Sequence, residues 1–305
     1  MNNLVPLMRR EWLQHRFSWA LLMLVPLALA VVPMAFGTVE FDSEMAQRAP
    51  PELALMVASI SILVSAAVIF LLVWVTSLFI TTSLPRRDHA DRSFEFWLSL
   101  PTGHAESYAA PLLVHMVLAP AAALLVGLLG GYAISLLLVV RFVGVGEWLA
   151  LPWNSVLLGT LAAAARVMAG LPLATLWLSP LILLAMLCNA WFRRLGFPVV
   201  VVGLSLSSVL LKAVFGQPLL ADSLSALGRN AGLALAGASG QQGLTINDEM
   251  PPAQALEGMA SWAWHDFLAA LQATASPLFL AALAVSAGLF MVLVLWRQRG
   301  AGASG

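Results

Sequence analysis

The chain has 305 residues, of which 61% are hydrophobic and only 10% are charged, and its formal net charge is zero. Soluble domains are about 45–50% apolar, so this composition excludes an ordinary soluble domain and predicts an all-α polytopic membrane protein. The zero net charge gives no basic surface for nucleic acid. The single cysteine, Cys188, excludes a disulfide framework and a cysteine metal cluster.

The first 16 residues predict an amphipathic helix that precedes the first membrane span. Val5, Met8 and Trp12 recur at helical spacing, and Arg9 and Arg10 fall on other faces. A basic helix with tryptophan at the headgroup level is typical of an interfacial helix on the inner leaflet. The alternative is a basic flank that only sets the orientation of the first span.

Six apolar runs are each long enough to cross a hydrocarbon core about 30 Å thick. The predicted spans cover residues 17–36, 53–84, 110–140, 170–191, 197–215 and 277–296. The apolar stretch 156–165 is too short to cross and is followed by Arg166. We expect it outside, as an interfacial helix or an extension of the fourth span, and a seventh span is the alternative topology.

The basic residues predict the orientation. Ten of the 15 lie on one side of the six spans, and five lie on the other side or at span ends facing it. The ten are Arg9, Arg10, Arg16, Arg86, Arg87, Arg92, Arg193, Arg194, Arg297 and Arg299, and the five are Arg48, Arg141, Arg166, Lys212 and Arg229. Because short basic loops stay cytoplasmic, both termini and the tail 297–305 are predicted to be cytoplasmic.

A charged island separates the second and third spans, within a predicted cytoplasmic loop of residues 85–107. From Pro85 it reads Pro-Arg-Arg-Asp-His-Ala-Asp-Arg-Ser-Phe-Glu-Phe-Trp-Leu-Ser-Leu-Pro. Phe94, Trp97, Leu98 and Pro101 follow the i, i+3, i+4, i+7 pattern of a helical ridge. On spacing alone, a short helix with an aromatic ridge and a solvated loop are equally supported.

The segment 216–276 is the longest one outside the predicted spans. Apolar residues at helical spacing predict helices near 223–236 and 253–273, with Trp262 and Trp264 in the second. Amphipathic helices with tryptophan at the membrane surface are typical of an interfacial cap. We therefore predict an outer helical cap between the fifth and sixth spans.

Ionisable residues inside spans are costly and often functional. The candidates are His115 and Lys212, with Arg141 and Arg166 near the outer edge. His115 is predicted to be a neutral, hydrogen-bonded histidine, and Lys212 is predicted to extend outward past Gly216. The other histidines are too scattered along the sequence to predict a metal site. No Asp or Glu lies deep in a span, which disfavours an ion-coupled carrier. Lys212 is the only lysine and does not follow glycine, so the chain has no P-loop.

The order of these segments, together with the end of the island, resembles the type-2 ATP-binding-cassette (ABC) exporter permeases. In that family a charged stretch after the second span leads into an apolar helical ridge and then Ser-Leu-Pro. The matching positions here are Asp91, Arg92, Glu95, Phe96, Leu98, Ser99, Leu100 and Pro101. The run from Leu181 to Arg194 is also similar to the family's fourth span and inner turn. The family often begins the island Glu-Arg-Glu-x-Gly-Thr, and Asp91-Arg92-Ser93-Phe94 departs from that pattern.

The resemblance implies a permease that is not itself an enzyme, in the cytoplasmic (inner) membrane of a bacterium. The island would be the coupling helix, seated on a separate ABC ATPase that binds ATP and Mg²⁺. Two permeases, as a homodimer, and two ATPases would form the exporter, and the outer helices would form its external gate. The residues expected at the ATPase are Arg92, Phe94, Glu95, Trp97, Leu98 and Leu100. Gly127 and Gly131 are expected to allow close helix contact, within one subunit or between two.

Two other functions are weighed against export. A membrane scaffold or assembly factor that works with an ATPase would share most of these features. Residues 237–240, Gly-Ala-Ser-Gly, match the Gly-x-Ser-Gly motif of rhomboid proteases. Ser239 is predicted in an outer loop rather than inside the membrane, so a protease is disfavoured. The apolar spans favour an amphipathic cargo, such as a peptide, a lipid-like molecule or a hydrophobic drug.

Overall fold

The computed structural model describes residues 4–36, 50–90, 103–192, 195–240 and 252–302, with side chains except at 33–35, 86–90 and 299–302. Within these ranges the chain is helical and contains no strand. In chain order the helices are α1 Leu4–Phe36, α2 Pro50–Ala90, α3 His104–Phe142, α4 Val145–Leu149, α5 Trp153–Phe192, α6 Gly196–Phe215, α7 Leu219–Leu235, α8 Pro252–Ala273 and α9 Pro277–Gly302. Helix α3 contains one π-helical turn, Val114–Leu118.

Six of these helices, α1, α2, α3, α5, α6 and α9, are long and apolar enough to cross a membrane. Helices suit these sequences because a hydrocarbon core offers no partner for backbone N–H and C=O groups, which must therefore bond within the segment. Several hydroxyls in the spans also bond within their own helix, as when Thr76 donates to the Leu72 carbonyl at 2.7 Å. An all-α chain with six such helices agrees with the composition.

The largest differences from the predicted spans are at the N-terminal ends of α1 and α5, and the other spanning helices extend past the predicted spans by at most six residues. Helix α1 runs from Leu4 to Phe36 without a break, so the predicted interfacial helix and the first span form one continuous helix. Helix α5 begins at Trp153, so the stretch 156–165 extends the fourth span toward its N-terminus. The segment 216–276 contains α7 and α8. These helices end within one residue of the predicted C-terminal ends and start up to four residues before the predicted starts.

Helix α5 lies at the centre of the bundle. It packs against α2, α3, α6, α7, α8 and α9, whereas α1 packs on the outside against α2 and α3. Trp177 of α5 is buried and meets Phe279 of α9 edge to face, with ring centroids 4.8 Å apart. Helices α7 and α8 are thus both packed against the central spanning helix.

Contacts between helices define the two ends of the bundle. At the basic end, Asn189 of α5 donates to the Thr82 carbonyl of α2 at 3.0 Å, and the Arg297 guanidinium of α9 lies 5.3 Å from the Tyr108 ring of α3. At the opposite, cap end, Tyr132 of α3 hydrogen-bonds Thr160 of α5 at 2.6 Å. Helices α7 and α8 lie at this cap end, and the N-terminus of α1 lies at the basic end.

Candidate functional site

The predicted coupling island joins two neighbouring helices at the basic end. Helix α2 continues past Pro85 to Ala90, and α3 begins at His104 after its N-cap residue, Gly103. The Glu106 carboxylate accepts a bond from the Gly103 N–H at 3.4 Å, which satisfies a backbone donor that the first turn leaves unpaired. The six predicted ATPase contacts, Arg92, Phe94, Glu95, Trp97, Leu98 and Leu100, lie outside the described residues.

The N-terminal part of α1 presents two different faces. Arg9 and Trp12 are exposed and Arg10 is half-buried. Of the apolar face predicted from Val5, Met8 and Trp12, Val5 and Trp12 are exposed, so this face points largely away from the bundle. An outward apolar face with a tryptophan and nearby arginines suits the membrane interface.

The opposite face of α1 is buried against the bundle. Leu7, Glu11 and Trp19 recur every four or eight residues, and each is at least nine-tenths buried. A helix places such residues on one side, and here that side faces α3. A carboxylate is therefore carried into a buried position between the two helices.

Gly127 and Gly131 face α2 of the same chain. A Cβ at Gly127 would lie 2.8 Å from the Ala66 Cα, and one at Gly131 would lie 2.7 Å from the Ile62 Cα. Both obstacles are backbone atoms, which cannot rotate away. The small residues thus let α2 and α3 approach closely within one chain.

Three side chains from two helices form a buried polar cluster at the basic end, which we call the His–Glu cluster: Glu11, His15 and His115. The Glu11 Oε2 lies 3.6 Å from the His115 Nε2, and the two imidazole rings are 5.1 Å apart at a near-perpendicular angle. One ligand atom from each residue lies within 4.8 Å of the others. Glu11 and His115 are almost fully buried and His15 is half-buried.

This cluster corrects two sequence predictions. His115 was expected to be hydrogen-bonded, yet in the part of the chain that the structure describes neither ring nitrogen has a hydrogen-bond partner. The histidines were expected to be scattered, yet the fold brings His15 beside His115. The residues lie 100 positions apart, and only the packing of α1 on α3 unites them. The i, i+4 spacing of Glu11 and His15 was the available signal.

A second buried polar cluster, the cap latch, joins α5 to α7 and α8. The Arg166 Nε donates to the Asp266 Oδ2 at 2.8 Å, and the Nη2 lies 2.8 Å from the same oxygen. Arg166 also donates to the carbonyls of Ala234 at 2.7 Å and Leu233 at 3.2 Å, at the end of α7. Both charged side chains are fully buried. The sequence indicated Arg166 as an ionisable residue at the outer edge, but it did not reveal the partner.

The Asp266 carboxylate also accepts hydrogen bonds from the residues that follow α7. The Gly237 N–H donates to its Oδ2 at 2.9 Å, and the Ser239 N–H and hydroxyl donate to its Oδ1 at 2.6 and 2.7 Å. Burial acts to raise the pKa of Asp266, but the bonds from Ser239 and Gly237 and the Arg166 charge outweigh it and lower the pKa. Asp266 is therefore held as a carboxylate.

The Gly-x-Ser-Gly match has a structural role in the cap latch. The Ser239 hydroxyl donates to the Asp266 carboxylate, and no histidine accepts from it among the described residues. A serine nucleophile needs a base that removes its proton, and a carboxylate already engaged with Arg166 is poorly suited to that task. In this structure the Ser239 hydroxyl therefore holds the backbone after α7 against Asp266.

Helix α6 is the spanning helix least covered by the rest of the chain. Of its 20 residues only Gly196 and Val200 are buried, whereas α5 has buried residues along most of its length. Gly203 and Ser207, one helical turn apart, are both exposed, and a Cβ at Gly203 would meet no atom within 4 Å. This small-residue face is open to lipid or to another helix.

No protein-family model, curated protein or solved structure matches this chain.

Proposed function

We propose that this chain is the membrane subunit of an ATP-driven exporter of the type-2 ABC class. The observation that carries the proposal is the position of the charged island. It joins α2 to α3 at the basic end, where the arginines of α1 also lie. A soluble ATPase that binds there would contact a segment anchored in two packed spanning helices, so its movement would reach the bundle directly.

The outer helices support an exporter with an external gate. Helices α7 and α8 lie between α6 and α9 in the chain, and the cap latch fastens both to α5. Because α5 also packs on α2, a movement of α2 at the basic end has a continuous path of packed helices to the cap. A gate far from the site of ATP hydrolysis requires such a path.

The ATPase is proposed to be a separate subunit present in two copies, each binding ATP and Mg²⁺. This chain has no Gly-Lys pair and therefore no P-loop of its own. The excess of arginine at the basic end supports a cytoplasmic position for that end and for both termini. The proposed location is the cytoplasmic membrane of a bacterium.

The second permease copy is proposed to pack against α6. Gly127 and Gly131 are already used by the contact between α2 and α3, so they are not available to a second chain. The exposed Gly203 and Ser207 offer an alternative small-residue face. The proposed cargo is amphipathic, because the spanning helices carry few polar groups that could bind a hydrophilic one.

The coupling role is tested by copurification with any ABC ATPase that is encoded beside this gene. Phe94→Asp and Trp97→Ala should reduce ATPase association and the stimulation of ATP hydrolysis, because both remove the predicted aromatic ridge. Trp264→Ala is the matched control, since Trp264 is exposed on α8 at the cap end. Unchanged association and hydrolysis in both island variants would refute the coupling role.

Reconstitution in proteoliposomes separates export from a scaffold role. An exporter should move fluorescent amphipathic peptides or lipids against their gradient when ATP is supplied, and Phe94→Asp should abolish that movement. A scaffold would bind the ATPase, with the same sensitivity to Phe94→Asp, and move no cargo. The second result would favour the alternative function, a membrane scaffold or assembly factor.

A further inference from the structure

We propose that the His–Glu cluster of Glu11, His15 and His115 binds one divalent transition-metal ion, with Zn²⁺ as the preferred species. Two imidazoles and one carboxylate are a donor set that Zn²⁺ uses when a fourth position is left to water or substrate. Imidazole nitrogen also suits Cu²⁺, Ni²⁺ and Fe²⁺, so the class is a borderline transition metal rather than Mg²⁺ or Ca²⁺.

The distances fit a tetrahedral site with small side-chain movements. Zn–N and Zn–O bonds of about 2.0–2.1 Å place tetrahedral ligand atoms about 3.4 Å apart. The His115 Nε2 and the Glu11 Oε2 are already 3.6 Å apart, and the set as a whole lies within 4.8 Å. A rotation of the His15 side chain, the half-buried member of the set, is the adjustment that closes the site.

The environment of His115 suits a metal ligand. The side chain is fully buried, and among the described residues neither ring nitrogen has a hydrogen-bond partner. A buried polar group without a partner costs about 1–3 kcal/mol, so an ion at this position would remove a penalty that the bare fold carries. His115 also lies in the π-helical turn Val114–Leu118, and such turns occur frequently at functional sites.

The residues around the cluster shield it from solvent on one side and leave it partly exposed on the other. The Trp19 ring lies 5.7 Å from the His115 ring and is almost fully buried, so it shields one side of the cluster from solvent. The half-buried His15 leaves the other side open to an entering ion. A bound ion would fasten the basic half of α1, which carries Arg9 and Arg10, to α3.

The first test measures metal binding by the full-length wild-type chain, purified in detergent with a tag that contains no histidine. After removal of metal with a chelator, the protein is titrated with Zn²⁺ against a chromophoric competitor and, separately, with Co²⁺. We expect one ion per chain and the visible absorption of a tetrahedral Co²⁺ complex. A wild-type chain that binds no stoichiometric Zn²⁺ and gives no Co²⁺ spectrum overturns the proposal, and this result does not depend on any variant.

A second test uses variants to show whether the ion binds at Glu11, His15 and His115. His115→Asn and His15→Asn should each weaken Zn²⁺ binding beyond the roughly 10- to 100-fold typical of losing an outer-shell partner. Glu11→Gln keeps the size of the side chain and should also weaken binding while leaving the fold intact. His265→Asn is the control, because His265 is exposed on α8 at the cap end. Equal binding by the wild type and the Glu11→Gln and His15→Asn variants overturns the assignment and leaves only a side-chain contact between Glu11 and His115.

Discussion

Asp266→Asn probes the cap latch directly, because asparagine keeps the shape of the side chain and removes its charge. In the wild type, Asp266 Oδ2 accepts from Arg166 and from the Gly237 N–H, while Oδ1 accepts twice from Ser239. An asparagine must turn its NH₂ group toward one of these two sets. In either orientation the asparagine NH₂ group faces groups that are themselves donors, so at least one buried N–H is left without an acceptor.

The expected loss of stability follows from this geometry. Breaking a buried ion pair by removing one partner costs about 3–5 kcal/mol, because the remaining charge is uncompensated. Arg166 keeps its bonds to the carbonyls of Ala234, Leu233 and Asp266, at 2.7, 3.2 and 3.3 Å. These acceptors partly compensate the guanidinium, so we expect the lower end of the range, about 3 kcal/mol.

The assay is thermal or denaturant unfolding in detergent, combined with limited proteolysis of the segment between α7 and α8. Asp222→Asn is the matched control, because Asp222 is exposed on α7 and its change should cost less than about 0.5 kcal/mol. A double-mutant cycle with Arg166→Met should give a coupling energy of about 1–3 kcal/mol. If Asp266→Asn unfolds at the same midpoint as the control, or the coupling is zero, the cap is not held by this pair.

Three further predictions follow. The difference in unfolding free energy between the wild type and Asp266→Asn should be constant above about pH 5 and shrink below about pH 4. The pKa of Asp266 is lowered in the folded state, so the stabilisation by its carboxylate is complete above the pKa of an unfolded Asp and is lost as pH falls through the folded-state pKa. Unfolding midpoints measured across this pH range check the prediction. Gly131→Ala should lower the free energy of unfolding by about 1–3 kcal/mol, because the added Cβ meets the α2 backbone. Gly288→Ala is the control: its Cβ would meet no atom within 4 Å, so it should be neutral or slightly stabilising. Melting curves of both variants test this difference. In a cysteine-free background, Gly203→Cys should form an intermolecular disulfide in membranes. Leu129→Cys, at an exposed position on α3, should not form one. If Gly203→Cys stays entirely monomeric, the proposed dimer face on α6 is wrong.

The helices that span could be located from the sequence because their signal is local. A run of about 20 apolar residues has few alternatives in a bilayer, where a helix satisfies every backbone group within the segment. The exact ends of the helices were harder to predict from the sequence. Nothing in the first 36 residues breaks the helix between the basic flank and the apolar run, so α1 is continuous, and the extension of α5 to Trp153 follows from its packing against α8.

The sites were predictable only where their residues are neighbours in sequence. The charged island stands out by composition, and its predicted ATPase contacts stay predictions. The His–Glu cluster and the cap latch each combine residues 100 positions apart, and no periodicity links such residues. His115 and Arg166 were recognised as unusual ionisable residues, but the partners of both were invisible in the sequence.

The sequence by itself determined an all-α chain with six helices able to cross a membrane, because hydrophobic length and helical backbone bonding are properties of a segment alone. The tertiary structure decided where charge could be buried. Arg166 is stable in the interior only because α7 and α8 bring carbonyls and the Asp266 carboxylate to it. The Glu11 carboxylate is buried beside His115 only because α1 packs on α3. Buried charge requires a partner, and the partners here come from distant segments that only the packed helices bring together.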